Sequence, residues 1–561
     1  MRWRVLGHLR SSGLENRQKE IIEILFKNRE IMSMAERKTF LDPSSPELLS
    51  LSTLKINQAQ VKKAVNRIKK AVAQKEKVIV YGDYDADGIC AAAILWETLH
   101  HLKAKAMPHI PDRIKEGYGL NVGTIKNLKK KHPDLKLLIT VDQGITAGEK
   151  IKFAQKLGLE TIVTDHHVKP KTKCPALAVV HTTLLSGSGV AWILARELSK
   201  SFPARIIPPG EILRFLELVA IGTITDLLPV TGPNRSLITH GLGQLQKTRR
   251  LGLETLMKEA GIEAKSLGIY EVGFGIGPRL NASGRIDDPL DSLRLLCTRS
   301  RSRARSLAQK INLVNRRRQE LMAQTAQEAR EAWLAQRVAG AKLIFVNQKD
   351  WDQGVIGLAA SKLAEEFYLP VIVVSQGDKE SKASARSING FNIIEAIREA
   401  ENLLIDAGGH PMAAGFTAET QNLDKLKEKL ITIAEQRLDS RILEKTLKVD
   451  CEVRLSDLNL ALFNRIQEFS PFGIGNPQPD FTVRGAEVIE TRLVGRGQKH
   501  LKMTVRDAET KQVFDCIGFG LSQFHADLSP GQKIDLAFSL ILNEWNGRKN
   551  LELKVKDIKT S

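Results

Sequence analysis

Cysteine is scarce in this sequence and nowhere paired: Cys90, Cys174, Cys297, Cys451 and Cys516 are the only five in 561 residues, with no Cys-x-x-Cys among them. That spacing excludes a zinc ribbon and a disulfide framework, and fits a reducing compartment, the cytoplasm. Long apolar runs are missing too. No uninterrupted stretch approaches the roughly 20 residues that cross a bilayer, and Met1-Arg-Trp-Arg4 is not followed by the apolar core of an export signal. The expectation is a soluble, unexported chain without membrane contact. Solenoid repeats and low-complexity tracts are absent. Acidic residues are outnumbered, 84 Lys plus Arg against 64 Asp plus Glu, for a formal charge of +20 and a pI near 9.6. Such a balance points to a polyanionic partner, nucleic acid first. At this length one core does not suffice, and about three to five domains are expected.

What is present is organised around Val78-Ile-Val-Tyr-Gly-Asp-Tyr-Asp-Ala-Asp-Gly88. Residues 78–80 are β-branched and predict a buried strand; residues 89–96, nearly all apolar or Ala, predict the helix after it. Asp83, Asp85 and Asp87 therefore crowd a strand-to-helix corner, where ligands bind in open parallel sheets. Three neighbouring acids repel one another unless a cation neutralises them. Two later runs repeat the theme: Leu137-Leu-Ile-Thr-Val-Asp142 and Thr161-Ile-Val-Thr-Asp-His-His167. A fourth acid, Asp226, ends residues 216–225, whose composition suits a helix.

The rest of the chain divides by texture. Residues 1–45 form a basic N-terminal arm with a helical stretch at 20–26, expected to pack on the first domain. A Lys-rich amphipathic helix over 54–73 leads into an α/β catalytic domain, 46–290. Residues 290–339 contain neither Gly nor Pro and predict a long connecting helix or helix pair, 291–340. Within it, residues 298–318 hold eight basic side chains and no acid, what a groove tracking a nucleic-acid backbone needs. A second α/β unit spans 341–440. Short alternating strands over 441–561 predict a β barrel of oligonucleotide-binding size.

Asp85, Asp87, Asp142, His166 and Asp226 make one constellation. Oxygen and imidazole donors without thiolate suit Mn²⁺ or Mg²⁺, and the imidazole favours Mn²⁺. This many anionic donors suffice for two cations and phosphoester hydrolysis. Alone, an Asp-x-Asp is ordinarily a solvated turn or a pair of helix caps, and a His-His pair a surface feature. Four such pieces, each ending an apolar run, are not readily assigned to chance.

These motifs resemble, in order, those of the DHH phosphoesterase superfamily. Arg279-Leu-Asn-Ala-Ser-Gly-Arg285, Gly354-Val-Ile-Gly357, Ser384-Ala-Arg-Ser387, Gly408-Gly-His410 and Pro471-Phe-Gly-Ile-Gly-Asn-Pro477 resemble the bacterial RecJ branch, and the likeness covers residues 3–556. The resemblance implies a two-lobed α/β fold: a parallel-sheet DHH domain and a DHH-associated domain joined by the long helix, followed by an OB-fold barrel. It implies a single-strand-specific 5′ to 3′ exodeoxyribonuclease that releases mononucleotides in DNA recombination and repair. Two divalent cations are implied, Mn²⁺ ahead of Mg²⁺, on Asp85, Asp87, Asp142, His166 and Asp226, with Asp83 and His167 at the site. Asp142, His166 and His167 carry catalysis, and Asp142, expected mid-sheet, is favoured as the bridge between metals. Asp165 is a candidate partner for the second nitrogen of a ligating histidine.

A phosphate pocket for the 5′ end is implied at Arg113, Arg279, Asn281, Arg285, Ser384 and Arg386, with the Gly408, Gly409 and His410 turn as an anion nest. Asn315 and Arg318 line the way in. Tyr84 and Tyr118 either stack on a base or pack beside the corner. In the barrel His500, Lys502, Trp545, Arg548 and Lys549 would hold the trailing strand by stacking and charge, with Trp545 as barrel core the competing reading. Single-stranded DNA is the expected partner, with a single-strand-binding protein and a helicase beside it, and the chain is expected to be monomeric. Gln143, His181, Ser283 and Asp352 depart from the family pattern without removing a ligand. Two other readings stand: a DHH phosphodiesterase acting on short RNA or cyclic dinucleotides, and a non-catalytic single-strand-binding scaffold. The basic helix and barrel argue against the first, the complete ligand set against the second.

Overall fold

The apolar runs that end in acids fold as strands buried on both faces. Lys77–Tyr81, Leu135–Val141 and Glu160–Asp165 bury nearly every residue, as strands inside a parallel α/β sheet must. In the computed structural model, which describes residues 1–560 apart from 114, 115, 118, 337–339 and 546–547, and only the backbone of 209, 545 and 548, these strands form the middle of a five-stranded parallel sheet. Its order is Lys105–His109, Lys77–Tyr81, Leu135–Val141, Glu160–Asp165, Ala178–His181. The chain starts at the second strand, steps outward to one edge, then returns to build the other side. The direction of winding thus reverses between Lys77–Tyr81 and Leu135–Val141. That reversal opens a crevice at the strands' carboxyl ends, and Asp83 and Asp142 follow these two strands.

Three helices close over that edge. Ala86–His101, Gly187–Lys200 and Leu216–Thr225 are almost wholly buried, in keeping with helices that are apolar all round. The Gly- and Pro-free stretch resolves into a short helix, Leu290–Cys297, and a 36-residue one, Arg301–Gln336. A second, mixed sheet follows in the order Asp406–His410, Ala413–Glu419, Glu380–Arg386, Val371–Gln376, Ile344–Lys349. Only its last two strands pair parallel. No described helix is long and apolar enough to cross a membrane.

The chain makes two compact units. The larger comprises Leu49–Leu228 and Leu237–Lys445, the smaller Met1–Leu48, Pro229–Ser236 and Thr446–Ser561. In the smaller unit Asp480–Val494, His500–Arg506, Val513–Gly518, Arg548–Thr560 and Lys533–Trp545 pair in sequence around a ring. Lys533–Trp545 pairs back with Asp480–Val494 and closes the barrel. The N-terminal arm belongs here, and not with the first α/β domain as its sequence position suggested. Arg2–Gly7 pairs in parallel with Thr446–Glu452, and helix Leu14–Asn28 places Ile21, Leu25 and Phe26 in the barrel core. The apolar stripe of that helix finds its cover more than 400 residues downstream, which adjacency in sequence does not reveal. Arg235 fastens the inserted segment, donating Nε to Phe40 O at 2.6 Å and Nη2 to Ser470 O at 2.7 Å.

Candidate metal centre and phosphate pocket

The first three acids are fixed by the start of a helix. Asp85 is the N-cap of Ala86–His101, its Oδ1 accepting from Gly88 N at 2.9 Å, while Asp83 Oδ1 accepts from Tyr84 N at 2.7 Å. Asp87 turns to a second helix start: its Oδ2 accepts from Gly187 N at 2.6 Å and its Oδ1 from Ser188 N at 3.0 Å. Free N–H groups and the dipole at helix N-termini suit negative charge. Two glycines let backbone press this close. A Cβ at Gly187 would stand 2.3 Å from Asp142 Oδ1, and one at Gly222 2.1 Å from Asp87 Oδ1. Asp142 itself holds a left-handed backbone, φ 61°, a conformation that Asp tolerates better than most residues and that turns the chain sharply at the strand end.

These carboxylates and the histidines converge. Donor atoms of Asp83, Asp85 and Asp142 lie within 4.8 Å of one another, as do those of Asp87, His166 and Asp226, and those of Asp142, His166 and His167. Asp142 and His166 each belong to two of the three groups. His166 Nε2 stands 3.2 Å from Asp142 Oδ1 and 3.5 Å from Asp226 Oδ2, yet both oxygens are buried without a hydrogen-bond partner. Burial also holds the His166 imidazole below its usual pKa.

The acids outweigh the positive charge beside them. Burial, then the neighbouring carboxylates, pushes Asp83 and Asp226 up to about 8, and Asp85 and Asp142 upward as well. Asp85 acts most on Asp83, and Asp87 on the other three. Crowded carboxylates, two of their oxygens orphaned, beside an imidazole fit divalent cations.

Asp165 does not serve His166. Its Oδ1 takes His167 Nδ1 at 2.7 Å and the N–H groups of His166 and His167, and its Oδ2 takes Ile145 N at 2.8 Å. The hydrogen bond to Asp165 raises His167 to about 9 against the effect of burial. His181 Nε2 lies 2.7 Å from His167 O, so the departure at 181 anchors the His-His loop. Gln143, likewise unexpected, is buried and donates Nε2 to Gly82 O at 2.5 Å, tying together the ends of the two strands that flank the crevice.

Beside the acids stands a group of guanidiniums. Burial, then the charge of Arg113, lowers Arg285 to about 10 and lowers Arg386. Arg386 donates Nη1 to Ser384 Oγ at 3.2 Å and Nε to Ser361 Oγ at 3.0 Å; Arg285 donates Nη1 to Gly354 O at 3.2 Å. Arg113 lies over the Tyr84 ring, 5.6 Å from its centroid. Three crowded forks, none with an acid as hydrogen-bond partner among the described contacts, suit a phosphate.

Known proteins carry the same order of parts. The DHH family N-terminal domain matches residues 77–223, the DHHA1 domain 335–436 and the RecJ OB domain 449–557. The single-stranded-DNA-specific exonuclease RecJ of Bacillus subtilis is 37% identical over 89% of this chain, which spans 63% of that relative's length. The protein of the same name from Haemophilus influenzae is 30% identical over 95% of both chains. The crystal structure of RecJ from Thermus thermophilus in complex with Mn²⁺ superposes with a TM-score of 0.82 at 30% identity, covering 100% of this chain and 80% of that one. Its complex with Mg²⁺ gives 0.76. The chain belongs to the RecJ exonuclease family.

Among the residues expected from the RecJ-like motifs, the six metal-site side chains and His167 assemble at one edge. Arg113, Arg285, Ser384 and Arg386 also gather. Arg279 reaches instead to Asn312 Oδ1 at 3.0 Å and Gly275 O at 2.8 Å. Asn281 Oδ1 accepts from Ala86 N at 2.7 Å, and buried Asn315 accepts from Arg318 Nε at 3.2 Å. Gly408, Gly409 and His410 do not form a turn. They lie exposed in the edge strand Asp406–His410, paired with Ala413–Gly415, because the reversal falls two residues later. Tyr118 lies outside the described residues, as do the side chains of Trp545 and Arg548. In the barrel Lys502 is paired with Glu552, Lys549 lies 3.7 Å from Glu544, and His500 accepts from Gly520 N at 3.1 Å. Asp165, His181, Gly187 and Ser188 carry supporting contacts that sequence reasoning left unassigned or misassigned. The signal for the last two was a Gly-Ser-Gly run opening an apolar helix.

Proposed function

We propose that this chain hydrolyses single-stranded DNA from its 5′ end, releasing mononucleotides, with two divalent cations, Mn²⁺ ahead of Mg²⁺. One observation carries the reading: unpaired buried carboxylates converge on His166 beside a cluster of guanidiniums, so that opposite charges await a metal and a phosphate. Asp83, Asp85 and Asp142 would hold one cation, and Asp87, His166 and Asp226 the other, with Asp142 shared. When bound, the cations lower the pKa of the attacking water and stabilise the leaving oxygen. The chain's own groups do the rest. Arg113, Arg285, Arg386 and Ser384 grip a terminal phosphate and set the register of the first linkage. Asp165 orients His167 toward the Asp142 carboxylate, and the buried helices keep water from competing with the carboxylates.

Single-stranded DNA as the polymer is supported by the RecJ OB domain match and by the eight cations over residues 298–318. A cytoplasmic setting is supported by five free cysteines, and partners that expose or coat single strands, a helicase and a single-strand-binding protein, suit such a substrate. The test is digestion of 5′- and 3′-labelled single strands and duplexes with each metal. Early release of the 5′ label as a mononucleotide is expected. Release of the 3′ label first, or equal cutting of duplex, would overturn the polarity or the strand specificity.

A further inference from the structure

Tyr270 and Phe274 are 69% and 72% exposed, while no other described Phe, Tyr or Trp of the larger unit is exposed. Their rings lie 4.9 Å apart at an interplanar angle of 31°. They sit at the start and in the middle of a π-helical turn, Glu271–Ile276. Such turns gather at functional sites, and an exposed aromatic pair adds little to the stability of its own fold.

The turn is built against the metal centre. It packs on the last turn of Leu216–Thr225, the helix that ends at Asp226. Gly273 lies against Ile224, and at Gly277, the next residue after the turn, a Cβ would stand 2.3 Å from Thr225 Cγ2. On its other side Arg279 bridges Gly275 O and Asn312 Oδ1, and so joins the turn to the basic helix. Next to Asn312, Leu313 is 67% exposed, and Arg316 acts on the Arg279 guanidinium. The turn that carries the two bare rings therefore stands between the helix that ends at Asp226 and a helix whose first half bears cations and no acid. Stacking faces beside cations hold single-stranded nucleic acid regardless of sequence. The one-signed charge selects a polyanion over a protein partner.

We propose that Tyr270 and Phe274 form a base-stacking platform for nucleotides beyond the one being cut. The proposal rests on the single-strand exonuclease reading and adds a subsite to it. Ring-retaining substitutions, Tyr270→Phe and Phe274→Tyr, keep the platform; Tyr270→Ala with Phe274→Ala removes it, and the exposure of both rings makes folding insensitive to either change.

The full chain with Mn²⁺ is assayed on a long oligothymidylate and on the dinucleotide pTpT. In the double alanine variant the ratio of kcat/KM on the long strand to that on pTpT falls about tenfold or more, as loss of a stacked base predicts. The ring-retaining pair holds the wild-type ratio. The quenching of 2-aminopurine placed inside the strand is also lost in the alanine variant alone. A ratio unchanged by the alanines overturns the platform and leaves the pair as a protein-facing surface. Equal losses on both substrates overturn it too, since they mark a structural role. A wild-type chain that neither binds nor degrades single strands removes the exonuclease reading, and the platform falls with it; a wild type that does so, with an alanine variant to match, removes the platform alone.

Discussion

The helices Ala86–His101 and Leu216–Thr225 each carry buried or half-buried acids at or next to both ends, and the two ends are treated in opposite ways. At one end Glu97 and Glu217 close on Arg250, which donates Nη1 and Nη2 to Glu97 at 2.6 and 3.1 Å, Nε to Glu217 at 2.9 Å and Nη1 to Leu296 O at 2.7 Å. At the other, Asp87 and Asp226 meet His166 and Asp142, with two orphaned oxygens and no guanidinium or ammonium partner among the described contacts. Glu97 is late in its helix and Glu217 early, Asp87 early and Asp226 at the end, so the helices run antiparallel and share both charge clusters. Burial of charge is therefore no mark of function here; burial without compensation is. The Arg250 cluster is a closed structural triad, and the aspartate cluster is an open one that a ligand completes.

The contrast breaks first at Asp142. Asp142→Asn keeps the shape and removes a shared donor. Hydrolysis should fall by more than about 100-fold, beyond the loss typical of residues one contact removed from a metal. In chelated protein the same change relieves repulsion, so Tm should rise rather than fall. Full activity, or a lowered Tm without metal, would show that the cluster is compensated after all. Arg250→Met is the mirror experiment. It strands Glu97 and Glu217 in the interior, and unfolding in urea should show a loss of about 3–5 kcal/mol. Unchanged stability would mean that the triad is as open as the metal site.

How much of this contrast could be read from sequence follows from distance along the chain. Asp83, Asp85 and Asp87 announce themselves because three acids interrupt an apolar pattern within five residues, and Asp142 and His166 because each follows an apolar strand. Asp226 was legible as the end of an apolar helix. Asp165 was visible, but its partner was not: which histidine takes a neighbouring carboxylate depends on the backbone turn after the strand, and His167 wins because Asp165 also caps the loop. Arg250 gives no local signal at all, since its three partners come from three helices. The barrel's alternation over residues 500–506 was plain, with every second residue buried. Its neighbour Arg2–Gly7 was not, because register across more than 400 residues is set by packing alone. Tyr270 and Phe274 fall in a Gly-rich stretch without periodicity, where exposure has no sequence signature.

The guanidiniums extend the comparison to positive charge. Arg250 is compensated, whereas Arg285 and Arg386 crowd Arg113 and, among the described residues, have hydroxyl and carbonyl groups alone as hydrogen-bond partners. Arg386→Ala should raise KM for a 5′-phosphorylated strand by roughly tenfold to a hundredfold, the equivalent of one charged hydrogen bond at about 1.5–3 kcal/mol. The effect on a strand with a 5′-hydroxyl should be smaller. Equal effects on the two ends would remove the pocket from the open class.

The smallest expected effect concerns an acid between the two extremes. Asp291 receives Lys310 Nζ at 2.7 Å and Arg294 Nη1 at 2.7 Å, both from partly exposed side chains. Burial raises its pKa, but these hydrogen bonds outweigh burial and hold the carboxyl below the usual range. A folded-state pKa below the unfolded one makes the carboxylate stabilising above the ordinary Asp value of about 3.9, and that contribution is lost as pH falls through the folded value. Because water screens both partners, each pair contributes no more than about 1 kcal/mol. Asp291→Asn should therefore lower stability slightly at neutral pH and converge with the wild type in acid, as read by urea unfolding across that range. A difference that persists in acid would assign the effect to packing instead, and would place Asp291 with neither cluster.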